Sequence, residues 1–145
     1  EPILHKKDFK FQIGKGYVLS RGQDCSLFAI GPITSMALEI AKLLKNKKIS
    51  CRVISMPSVK PIDEQLIIKC AQETGAVFSL EEHSTIGGLG SVIAEVLAES
   101  SIPKVIFKRF GIQDQFPKTV GSQDYLRDLN NLSALKVAVA IEKLL

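Results

Sequence analysis

The chain has 145 residues, 46% hydrophobic and 23% charged, and carries a formal net charge of +4. That length suits a single domain, burying roughly two-thirds of the surface its unfolded form would expose, and the composition excludes disordered and fibrous classes. No apolar run approaches the ~20 residues that span a bilayer, and the Lys and Arg residues are scattered rather than gathered on one stripe with aromatics between them. Membrane and nucleic-acid partners are therefore not expected.

In chain order, Glu1-Pro2-Ile3-Leu4-His5 has no starting Met and no signal-peptide layout, so an excised fragment or a chain with its start removed is expected rather than a complete gene product. Residues 1–16, with His5, Lys6, Lys7, Lys10 and Lys15, show no strong periodicity and are expected to be a linker from an upstream domain, leaving 17–145 as the domain itself. Tyr17 to Ser20 predicts a first strand. Only Arg21-Gly22-Gln23-Asp24 separates it from the next, Ser26 to Ile30, which is too short for a parallel crossover and predicts an antiparallel hairpin. Gly31-Pro32 then turns the chain into a helix whose inner face carries Met36, Ile40, Leu43 and Leu44, with Lys45, Lys47 and Lys48 at its negative end.

A strand at Arg52 to Met56 follows. Pro61 then fixes the approach to a helix that Asp63 caps and Glu64 begins, with Ile67, Cys70 and Ala71 inward. Ala76 to Leu80 and Lys104 to Lys108 predict two more strands, apolar on both faces as central parallel strands must be. Between them Gly87, Gly88 and Gly90 open a helix bearing Leu89, Val92, Ile93, Val96 and Leu97. A last helix runs from about Ser133, with Ala134, Val137, Ala138, Ile141, Leu144 and Leu145 on its buried stripe. This alternation predicts an α/β fold of three layers, α/β/α, around a five-stranded mixed sheet whose first strand is antiparallel.

Ligands in open α/β sheets bind beyond the carboxyl ends of the strands. Glu81-Glu82-His83 is the one group there with acid-base potential, since a carboxylate beside a histidine can orient its tautomer or raise its pKa. No nucleophile accompanies it, and His5 is the only other histidine, so no catalytic, cofactor-binding or metal residue is assigned. Glu82, His83, Gly87 and Gly88 are instead candidates for a domain contact or a small-anion site, the glycines permitting close backbone approach. Gly14-Lys15-Gly16 precedes a strand, the wrong order for a dinucleotide fingerprint. Cys25, Cys51 and Cys70 have no metal-ligand spacing and fit buried free thiols in a cytoplasmic protein.

The order of these motifs resembles the C-terminal domain of the transketolase family from about Phe11 to Leu145. Gly14-Lys15-Gly16, Ala29-Ile30-Gly31, Lys60-Pro61-Ile62-Asp63, Glu81-Glu82-His83-Ser84, Gly87-Gly88-Leu89-Gly90-Ser91 and Gly111-Ile112-Gln113-Asp114-Gln115-Phe116 follow one another as they do there. One departure is Asn131-Leu132, where these families usually have Gly-Leu. The Glu-Glu-His-Ser form is most similar to bacterial or archaeal transketolases, especially those split into two polypeptides. The same domain occurs in 1-deoxyxylulose-5-phosphate synthases and in 2-oxo acid dehydrogenase β subunits, which are the alternative parents.

The resemblance implies a cytoplasmic, homodimeric parent of the pentose phosphate pathway that transfers a two-carbon ketol unit between sugar phosphates using thiamine diphosphate and Mg. It also implies that upstream pyrimidine-binding and diphosphate-binding domains are this chain's partners and hold the cofactor. The Gly-Asp-Gly of the family's diphosphate motif does not occur in this sequence. The chain itself is thus expected to be an inactive accessory domain that binds no cofactor and serves assembly. The alternative from a different class is a free-standing module that binds a small anion or a protein.

Overall fold

The computed structural model describes residues 3, 4, 8–116 and 118–145; the expectation for His5, Lys6 and Lys7 in the leading segment lies outside the described residues. Five strands form one mixed sheet: β1 (Tyr17–Ser20), β2 (Cys25–Ala29), β3 (Cys51–Ser55), β4 (Ala76–Ser84) and β5 (Ile106–Ile112), in the order β1-β3-β2-β4-β5. The four from β2 to β5 run parallel, and β1 is antiparallel to its neighbour β3. The helices are α1 (Thr34–Asn46), α2 (Glu64–Thr74), α3 (Leu89–Glu99), α4 (Gln123–Leu129) and α5 (Ala134–Glu142). Among the described residues none is long and apolar enough to cross a membrane.

The antiparallel first strand is found, but not the hairpin. β3 lies between β1 and β2, because the link Arg21 to Asp24 crosses the start of β3 instead of turning back beside it. Both Gln23 N–H and Asp24 N–H donate to the Ser50 carbonyl at 3.0 Å, and the Asp24 carboxylate accepts from Ser50 N–H at 2.6 Å. A Cβ on Gly22 would stand 2.2 Å from the backbone nitrogen of Arg52, so only glycine passes there. Four extended residues reach about 14 Å, more than the roughly 10 Å of two interstrand spacings, so the short link allows the crossing. The inserted β3 is almost fully buried and gains partners on both edges, which suits its apolar Val53 and Ile54.

Strand alternation divides the core into two halves. Cys25, Leu27 and Ala29 of β2 face α1 and α5, where they meet Ile40, Leu44, Val137 and Ile141. Phe28 turns the other way, toward Ile67 and Cys70 of α2 and Leu89 and Ile93 of α3. Each fully buried Leu, Ile or Phe contributes about 1.5–3 kcal/mol relative to exposure, so both helix layers are needed to cover the sheet. Cys25, Cys51 and Cys70 are buried free thiols. Cys25 and Cys51 are register partners, and the Cys25 sulfur together with burial pushes the Cys51 thiol far above the ordinary range.

Asp63 caps α2 as expected, accepting from Leu66 N–H at 3.2 Å. Its other oxygen accepts from Gly16 N–H, also at 3.2 Å, which joins the segment before β1 to the helix start. Two expectations near the carboxyl end need correction. α5 ends at Glu142, so Leu144 and Leu145 lie past its last turn and are 41% and 46% exposed rather than on the buried stripe. α4 was not expected, because none of its residues is fully buried and so no apolar stripe announces it. Ser122 caps its start, and its end closes by backbone bonds from Asn131 N–H to Asp128 O and from Leu132 N–H to Arg127 O. That closure puts Asn131 at φ 59, the left-handed conformation for which glycine is the usual residue and asparagine the next best.

Candidate functional site

β4 runs four residues further than its apolar run predicts, so Glu81, Glu82, His83 and Ser84 are part of the strand and take its alternation. Glu81 and His83 point to the α3 side. Glu82 points to the other, toward α4. The strand pleat therefore keeps Glu82 from orienting His83, since adjacent strand residues face opposite sides of the sheet.

Glu81 is 1% exposed, and its two oxygens accept from Leu89 N–H and Gly90 N–H, both at 2.8 Å. These are donors of the first turn of α3, which have no partners inside the helix, and the carboxylate also complements the positive helix end. The glycines make room for it. A Cβ on Gly88 would lie 2.0 Å from a Glu81 oxygen, and one on Gly90 would lie 2.4 Å from the Ser79 hydroxyl. Ser79 Oγ is itself the one buried side-chain polar atom without a partner among the described residues.

Glu82 receives a two-pronged ion pair from Arg127 of α4, Nε at 2.7 Å and Nη2 at 3.0 Å, with Gln123 Nε2 donating as well. This pairing raises the Arg127 guanidinium above its already high ordinary pKa. His83 is exposed, its Nδ1 3.0 Å from the Ser84 carbonyl oxygen. Gly87 adopts φ +79 and its N–H donates to Ser91 Oγ at 2.9 Å. The cluster thus gathers Glu81, His83 and Gly88 on one side of the strand, with Glu82 on the other.

Arg109 of β5, which the sequence shows only as a strand-end cation, pins the β4–α3 loop by donating to the Thr85 carbonyl and to Ser91 Oγ. Arg127 had no sequence signal, because its helix had none. The donor set does not suit a metal-bound diphosphate. Both carboxylates already accept protein N–H groups, and among the described residues no three of His, Cys, Asp and Glu cluster as metal ligands.

A mixed five-stranded sheet with an antiparallel edge, covered by two helix layers and with its strand-end acids turned to internal bonds, defines an α/β/α domain. The chain matches the family model described as transketolase, C-terminal domain, over residues 14–135, and it belongs to that family. It is 38% identical over 113 residues to one of the subunits of the apulose-4-phosphate transketolase of Phocaeicola vulgatus, covering 78% of this chain and 35% of that protein. It is 38% identical over 133 residues to 1-deoxy-D-xylulose-5-phosphate synthase 1 of Geobacter sulfurreducens, covering 92% and 21% respectively. Among solved structures, a split-gene transketolase in an inactive beta4 tetramer superposes with a TM-score of 0.90 at 40% identity, over 98% of this chain and 46% of that one. The chain spans less than half the length of each of these relatives.

Proposed function

We propose that this chain is the C-terminal section of a cytoplasmic, dimeric transferase of the pentose phosphate pathway that moves two-carbon ketol units between sugar phosphates. Thiamine diphosphate and Mg²⁺ are held by its partners, the diphosphate- and pyrimidine-binding domains, and this chain contributes packing and assembly rather than a reacting group. The observation that carries this reading is the commitment of the strand-end acids: Glu81 caps α3 and Glu82 holds Arg127, leaving neither free for proton transfer. The likeness to a transketolase subunit supports the choice of parent.

Calorimetric titration of the chain with thiamine diphosphate and Mg²⁺ tests it. No saturable binding is expected, and saturable binding at micromolar concentration refutes the role. A parallel test replaces His83 by Ala in the assembled enzyme, where turnover should be kept; loss of turnover with assembly intact gives His83 a chemical role. The second reading, a 1-deoxyxylulose-5-phosphate synthase parent, is favoured by the 38% identity that covers 92% of this chain. Formation of 1-deoxyxylulose 5-phosphate by the assembled enzyme would establish it over ketol transfer.

A further inference from the structure

The opposite end of the sheet, where β3 begins, carries a cleft of about 570 Å³ that the family reading leaves without a role. Its size falls within the usual range of small-molecule sites. The floor is apolar, made by Leu19 of β1, Leu38 and Ala41 of α1, Ile49, and Cys51 of β3. Around it stand Arg21, Lys42, Lys45 and Lys48, and no carboxylate lines it. None of these four side chains has an ion pair or hydrogen bond among the described residues, whereas the adjacent Lys47 reaches Glu142 at 3.5 Å. The nearby Asp24 is already engaged by Ser50 N–H.

Lysines at a helix end ordinarily serve its last carbonyls. Here that need is met by backbone. Ile49 N–H donates to the Leu44 carbonyl at 3.0 Å and Lys48 N–H to the Lys45 carbonyl at 2.9 Å, with Lys48 at φ 62. Arg21 comes from the β1–β2 link and Lys42 from a turn earlier in α1, so the helix end explains neither. Four unpaired cations over an apolar floor are complementary to a molecule with a negatively charged head and an apolar body. A purely apolar ligand would leave the cations unmatched, and a bare ion would leave the floor uncovered.

We propose that this cleft binds a small organic anion with an apolar body and at least two negative charges, of the aryl phosphate type. The body lies on Leu19, Leu38 and Ile49, and the charged group sits among the four cations. This goes beyond the assembly role and does not depend on it.

The test uses equilibrium dialysis of the full chain against three probes at low salt: 1-naphthyl phosphate, 1-naphthol and inorganic phosphate. 1-Naphthyl phosphate is expected to bind saturably at one site, at least about tenfold tighter than either of the others. The double substitution Lys42→Glu, Lys45→Glu should weaken it by about tenfold or more, while Lys104→Glu, on the exposed approach to β5, leaves it unchanged. All three positions are exposed, so the variants keep the core, and thermal melting verifies that. The proposal is overturned if 1-naphthyl phosphate binds no tighter than 1-naphthol, if it fails to saturate, or if the double variant binds as the Lys104 variant does.

Discussion

Replacing Glu81 by alanine is the sharpest test of how the strand end and α3 are joined. The side chain is 1% exposed and accepts two backbone N–H groups at 2.8 Å. Its removal leaves the Leu89 and Gly90 donors buried without partners, at about 1–3 kcal/mol each, and also removes a negative charge from the positive end of the helix. Relief from burying that charge offsets part of this, so the net loss should be about 3–5 kcal/mol, out of a total stability of roughly 5–15 kcal/mol for an ordinary domain. Melting should fall by roughly 10 °C. Glu81→Gln keeps one acceptor oxygen but turns an amide donor toward the other N–H, so its loss should be intermediate, about 2 kcal/mol. Urea unfolding followed by circular dichroism measures both variants, and hydrogen exchange at the Leu89 and Gly90 amides reports the local effect. A loss below about 1 kcal/mol for the alanine variant, or unchanged protection at those two amides, refutes the capping argument.

Gly22→Ala should cost more than about 3 kcal/mol, because its Cβ would meet the backbone of Cys51 and Arg52 at 2.2 Å, where no side chain can move aside. Gly31→Ala should cost only about 1 kcal/mol, since its φ of +72 is strained for alanine but nothing lies within 4 Å, and denaturant melts of the two variants compare them directly. A double-mutant cycle on Glu82→Gln and Arg127→Met should give a coupling of about 1–3 kcal/mol, with loss of exchange protection confined to α4. Asp128 is held below the ordinary aspartate range by hydrogen bonds from Lys136 and then Ser133. A lowered folded pKa means that its stabilising contribution is full above the unfolded value near 4 and is lost as pH falls through the folded one. Asp128→Asn should therefore flatten the acid limb of a melting-temperature profile between about pH 5 and 2 while leaving its slope near neutrality unchanged.

The α/β class, the parallel run of β2 to β5 and the inner faces of α1, α2 and α3 were legible in the residues, although β5, read as a central strand at Lys104 to Lys108, is the sheet edge at Ile106–Ile112. Those features are set by short-range periodicity: Ile40 and Leu44, or Leu89 and Ile93, meet on one face because of helix geometry alone. Caps such as Asp63 were legible for the same reason, since donor and acceptor stand three residues apart. Tertiary structure alone decided what depends on distant partners. β1 pairs with β3 because the link at Gly22 can cross Ser50 and Arg52, a contact between segments about thirty residues apart. α4 exists as an element held by Glu82 from 45 positions away, without an apolar stripe to announce it. The roles of the strand-end group divided in the same way. Adjacent letters suggested a Glu–His pair, but once the strand continues through them the pleat separates Glu82 from His83, and the neighbour that matters to Glu81 is the start of a helix eight residues on.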